Sequence, residues 1–153
     1  METDEISKRR RENFYTALQD KIGRLMVAAD VYLNHAPSHE KYALCQQIRI
    51  AQTEMDNLVT ACMKYPRYEV VRDLDIKHEQ VRHMWRRFYE RGYFAYRKNK
   101  KEENHQPSEA IRRFAVINVL INEIGSMIGG LKKAELKRLE NIRKQKAAEK
   151  SKA

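Results

Sequence analysis

Apolar residues recur along this chain at spacings of three and four, interrupted at three places. Between residues 7 and 34 they fall at Phe14, Leu18, Ile22, Leu25, Ala29 and Tyr32, which is one face of a helix. "NHAPSHE" then predicts a turn, because Pro37 blocks continuation and the Ser38 hydroxyl can cap the next helix. From His39 to Tyr65 the pattern resumes at Leu44, Ile48, Ala51, Met55, Leu58 and Cys62, and Pro66 ends it. Val71, Leu74, His78, Val81, Trp85, Phe88, Gly92 and Ala95 form a third stripe. "RKNKKEENHQPS" reads as a polar loop. Pro107 opens the last helix, whose stripe is Ile111, Phe114, Ile117, Ile121, Ile124, Ile128 and Leu131. No strand pattern competes with these helices.

Short connections between long amphipathic helices predict an all-α fold, an up-down-up-down antiparallel four-helix bundle. It would occupy residues 1–131, with an N-terminal helical extension, followed by a basic tail at 132–153. The fourth helix carries more apolar surface than one bundle needs: Val116, Val119, Leu120 and Met127 widen its stripe, so part of it is expected to meet another subunit. Gly125, Gly129 and Gly130 lie inside this helix, each costing roughly 0.5–1 kcal/mol relative to alanine. Two explanations stand side by side. Gly125 and Gly129 share a face and can admit a second helix at close range, or the glycine pair simply ends the helix. On the first, Leu120, Gly125, Met127 and Gly129 belong to an oligomer interface.

The 153 residues carry a net charge of +10, which points to a polyanionic partner. Asn118, Asn122 and Glu123 interrupt the most apolar run and argue against membrane insertion. The N-terminal stretch has no apolar signal segment, so a cytoplasmic location is expected. Cys45 and Cys62 are 17 positions apart on one predicted helix, beyond disulfide reach, and read as small core residues.

The basic residues form two groups. Arg82, Arg86, Arg87, Arg91, Arg97, Lys98, Lys100 and Lys101 follow the third helix and its exit, interleaved with Tyr89, Tyr93 and Tyr96. Arginine bridges phosphates and tyrosine stacks on unpaired bases, a combination suited to RNA. The alternative is an ordinary solvated face with the tyrosines partly in the core. Residues 132–153 hold nine basic side chains against three acidic ones, Lys132, Lys133 and Lys137 among them, and read as a frayed helix gripping phosphate or as a solubilising tail. The five histidines lack metal-ligand spacing, "HEQVRH" being five apart, and His78 on the core seam reads as an interior hydrogen-bonded histidine. No phosphate loop, serine elbow or carboxylate pair is present. Neither metal, cofactor nor catalysis is expected.

"HEKYALCQQIRIAQTEMDNLVTACMKY", "LDIKHEQVRHMWRR" and above all "VLINEIGSMIGGL" resemble one family over residues 14–131. It comprises the accessory variability determinants of diversity-generating retroelements and the proteins encoded in intervening sequences of ribosomal RNA genes. The resemblance implies a homopentameric barrel of four-helix bundles, without catalytic activity, that binds nucleic acid and a reverse transcriptase. It further implies that Arg82 and Arg86 contribute to the partner-binding surface. After the glycines the sequence departs from the family, with Lys132 and Lys133 where an aromatic and an aliphatic residue are usual. The expected function is to hold template RNA or its cDNA against the reverse transcriptase. The alternative is a ribosomal intervening-sequence type or a general helical interaction protein with no polymerase partner.

Overall fold

A computed structural model describes residues 2–152. Four helices dominate it: α1 (Glu2–Leu33), α2 (Leu44–Lys64), α3 (Tyr68–Glu90) and α4 (Pro107–Lys152). Each packs on the next, and α4 closes back on α1, so the helices enclose one core. The all-α bundle expected from the periodicity is present. Leu18, Ile22, Leu25 and Ala29 of α1, Ile48, Met55 and Val59 of α2, and Ile117, Ile121, Ile124 and Ile128 of α4 are buried within it. At the ends of α1 the stripe shifts by one position: Tyr15 and Leu33 are buried, while Phe14 and Tyr32 are half-buried. Cys45 and Cys62 are free and buried, and burial pushes the Cys62 thiol up to about 11.

The α1–α2 turn differs from expectation. Ser38 makes no side-chain cap; it begins a single 3-10 turn, Ser38–Glu40, and α2 starts later, at Leu44. The capping atom belongs to Glu40, whose Oε2 accepts the Leu44 N–H at 3.1 Å. A carboxylate there satisfies a free amide at the positive end of the helix.

The third stripe also stops short. α3 ends at Glu90, and Gly92, at φ +77°, adopts the left-handed conformation that terminates helices. Tyr93–Ala95 form a second 3-10 turn that carries Phe94 into the core. The segment read as a polar loop, with Tyr96 just before it, then contains a tight hairpin, β1 (Tyr96–Arg97) against β2 (Lys100–Lys101). Its corner residues, Lys98 and Asn99, have φ of +52° and +68°, the mirror-image geometry favoured between twisted strands.

α4 does not end at its glycines. It runs unbroken for 46 residues through Gly129 and Gly130. Tertiary ties beyond the pair hold it: Lys132 reaches Asp75 on α3 at 3.2 Å, Glu135 is buried, and Arg138 pairs with Glu135 and donates to the Pro66 carbonyl at 3.4 Å. Such packing outweighs the weak local preference of glycine.

Candidate nucleic-acid interface

On α3, Val81, Trp85 and Phe88 take the inward positions, so Arg82, Arg86 and Arg87 emerge between them toward solvent. Arg82 is the most constrained. Its Nη1 donates to Asn122 Oδ1 of α4 at 2.8 Å, and Glu79 lies 3.6 Å from its Nε. Arg82 and Arg86 line one shallow recess with Tyr89, Glu90, Phe114 and Asn118, so the pair does share the α3–α4 groove. Carboxylates accompany the rest of the row. Glu90 engages Arg86 at 3.3 Å and Arg87 at 2.8 Å, and Arg91 reaches Glu40 at 3.3 Å.

Glu40 is a hub. Beside capping α2 it accepts the Tyr93 hydroxyl at 2.7 Å, and that bond, with the Leu44 amide and the Arg91 charge, holds its carboxyl below the usual range. The Tyr93 phenol is pushed up by its burial and by the same bond. Tyr93 is therefore a structural residue. Tyr89 stacks on Phe114 with ring centroids 4.6 Å apart, and Tyr96 meets Tyr93 edge-on. The tyrosines expected to offer free stacking faces are committed to an aromatic cluster around Phe94.

The hairpin cations differ. Arg97, Lys98, Lys100 and Lys101 are all exposed, and none forms an ion pair among the described residues. Arg97 does lie near enough to help lower the Glu102 carboxyl, whose main partner is Arg113. The hairpin is fixed to the α1–α2 turn: the Lys98 N–H donates to His35 Nδ1 at 2.9 Å, the Asn99 N–H to the His35 carbonyl at 3.2 Å, and Asn99 Nδ2 to the Ala36 carbonyl at 2.6 Å. At the other end of the bundle Lys133 and Lys137 are exposed, while Lys132 is occupied by Asp75.

The glycine expectation is corrected in part. A Cβ built on Gly125 would lie 2.7 Å from His78 Cε1 of the same chain, so the close approach there is between α4 and its own α3. His78 Nε2 is 2.7 Å from the Ile121 carbonyl, which can only accept, so Nε2 carries the proton. The interior histidine is as expected. Gly129 has nothing within 4 Å of such a Cβ, and Leu120 and Met127 are partly covered by the chain's own core. Of the residues expected to widen the α4 stripe, Val116 and Val119 are open; with Val27 and Val31 on α1 they are 41–71% exposed, and Ile111, expected on the core stripe, is exposed too.

α4 is also long and apolar enough, by length and composition, to cross a membrane, and 22% of its most apolar window is buried. Among the described residues no cluster of three or more His, Cys, Asp or Glu could hold a metal ion. Residues that the sequence did not single out include Glu40, Lys41, Tyr42 and Asn99, all at the hairpin end. An acidic residue four positions before an apolar run, as Glu40 is before Leu44, was the one available signal. No family model, curated protein or solved structure matches the chain.

Proposed function

We propose that this chain is a noncatalytic, cytoplasmic accessory protein of a diversity-generating retroelement. It binds template RNA or cDNA together with the reverse transcriptase and so supports mutagenic cDNA synthesis. The observation that carries nucleic-acid binding is the hairpin, where four exposed cations without ion-pair partners project from a docked, rigid turn. Cations that no carboxylate neutralises are the ones able to release counterions from a phosphate backbone. The polymerase partner rests on the family resemblance, and Arg82 and Arg86, which line the α3–α4 groove, are its contact candidates.

The finer architecture belongs to the same proposal. The helices run up-down-up-down, a reading supported by cross-helix pairs that advance along α1 as they retreat along α4: Arg11 and Tyr15 share a recess with Glu135 and Arg138, Lys21 pairs with Glu123 at 2.7 Å, and Val31 shares a recess with Arg112. Five copies assemble through the outer faces of α1 and α4, where the open valines lie. Isolated exposed apolar residues are ordinary, but four on adjoining helices mark a contact surface.

The experiment has two arms. Light scattering at micromolar concentration is expected to find a pentamer; a species near 18 kDa overturns the assembly. Pulldown of reverse transcriptase and template RNA is expected to succeed with the intact chain and to lose the polymerase when Arg82 and Arg86 are both replaced by alanine, with helical circular dichroism unchanged. Polymerase captured equally by both proteins overturns the arginine assignment. RNA captured with no polymerase, even by the intact chain, favours the ribosomal intervening-sequence type instead.

A further inference from the structure

The aromatic residues first read as stacking faces are packed away, yet a tyrosine stands free beside the same hairpin. Tyr42, in the turn before α2, is 80% exposed although Leu44 and Cys45 just after it are buried. Its ring has Lys41 Nζ 5.5 Å from the centroid. It forms one wall of a recess of about 640 Å³, whose other polar linings include Asn34, Ser38, Gln46, Arg49 and Asn99. That volume lies within the roughly 300–1,000 Å³ of ordinary ligand sites.

We infer that this recess is a binding site for an unpaired RNA nucleotide, with Tyr42 as the stacking face and Lys41 as a phosphate contact; it deepens the proposed RNA binding and rests on it. A base of any identity stacks on tyrosine, because every base offers a π face. Lys41 is exposed and forms no ion pair among the described residues. Arg49 is not a phosphate contact, because Asp30 at 3.1 Å and Asn34 at 2.8 Å already hold its guanidinium; it only lines the recess. The Ser38 hydroxyl and Gln46 amide, both exposed, can each donate and accept, which suits a ribose 2′-hydroxyl. Another part of the lining is held in place: Asn99 bonds the Ala36 carbonyl at 2.6 Å and the Asn34 carbonyl at 3.2 Å. A fixed wall spares the ordering that a mobile loop would require on binding.

The test compares the intact protein with Tyr42→Ala and Tyr42→Trp by fluorescence polarisation against an oligouridine of about ten nucleotides, a length within the usual single-strand site size. Tyr42→Ala is expected to weaken single-strand binding about tenfold and to leave binding to duplex RNA unchanged. Tyr42→Trp should bind within about twofold of the intact protein, with its indole emission quenched as a base stacks on it. Equal single-strand affinity for Tyr42→Ala and the intact protein overturns the site, as does an equal loss on duplex. A deoxy strand bound as tightly as the ribo strand overturns the RNA assignment. An intact protein that binds no nucleic acid overturns the function reading itself, an outcome distinct from the failure of Tyr42 alone.

Discussion

The arginine row of α3 and the lysine hairpin beyond it are neighbours in sequence, comparable in formal charge, and opposite in electrostatic state. Arg82, Arg86, Arg87 and Arg91 each have a carboxylate within 4 Å, and Arg82 is further tied to Asn122. Arg97, Lys98, Lys100 and Lys101 have no ion-pair partner among the described residues. A count of basic residues therefore overstates what α3 offers a phosphate and understates the hairpin. The row is built for position: Arg82 and Arg86 line the α3–α4 groove, and each arginine is paired with a carboxylate. The hairpin is built for charge.

The comparison breaks most directly at the hairpin. Replacing Arg97, Lys98, Lys100 and Lys101 with alanine should weaken RNA binding on the order of 100-fold near physiological salt and reduce the slope of affinity against salt, because about four phosphate contacts are lost. Filter binding at several salt concentrations measures both. A loss no larger than that of the Arg82 and Arg86 double-alanine variant would mean that the two regions are equivalent.

Gly125→Leu acts on the row through its support. The new side chain meets His78, which is held by the Ile121 carbonyl, and Arg82 lies 3.6 Å from the first carbon added. Overpacking of this kind costs about 1–3 kcal/mol. Chemical denaturation should register that loss in stability, and the polymerase contact should weaken with it, while binding by the hairpin is retained. Unchanged stability would show that the α3–α4 contact yields freely.

The smallest effect is expected from Glu40→Gln, which releases Arg91 and removes a charged acceptor from Tyr93 and the Leu44 amide. A cost of about 1 kcal/mol at neutral pH is expected, and a slight gain in RNA affinity as Arg91 is freed. The sign of the pH dependence follows from the lowered Glu40 carboxyl. Its contribution is fully present above the unfolded carboxylate value of about 4.3 and is lost as pH falls through the folded value, so the two proteins should converge in acid. Denaturation midpoints from neutral pH down to about 3 check this. A gap that persists in acid would trace the effect to shape, not charge.

How far the sequence foretold this molecule depends on the range of the interaction. Helices with many core positions were legible, since three-and-four spacing repeats over several turns, as at Leu18, Ile22, Leu25 and Ala29. The hairpin was not, because strands of two residues have no period to detect and Lys98–Asn99 lacks the glycine that usually marks such a turn. Ser38 looked like a cap by local rule, but Glu40 took the role once Tyr93, 53 positions away, fixed its carboxylate. Gly125 was read either as a point of close approach between subunits or as part of a helix end; four-residue spacing says nothing of which helix approaches, and the neighbour is α3 of the same chain. The continuation of α4 past Gly130 likewise depends on Asp75 and Pro66, which only the folded chain brings near.

That continuation turns α4 into a ruler. Its 46 residues, at about 1.5 Å each, set roughly 69 Å between the hairpin end and the last lysines. A strand stacked at about 3.4 Å per nucleotide needs roughly twenty nucleotides to touch both ends of one molecule. If the chain binds RNA as proposed, shorter strands engage one end at a time, and length is discriminated before any base is read.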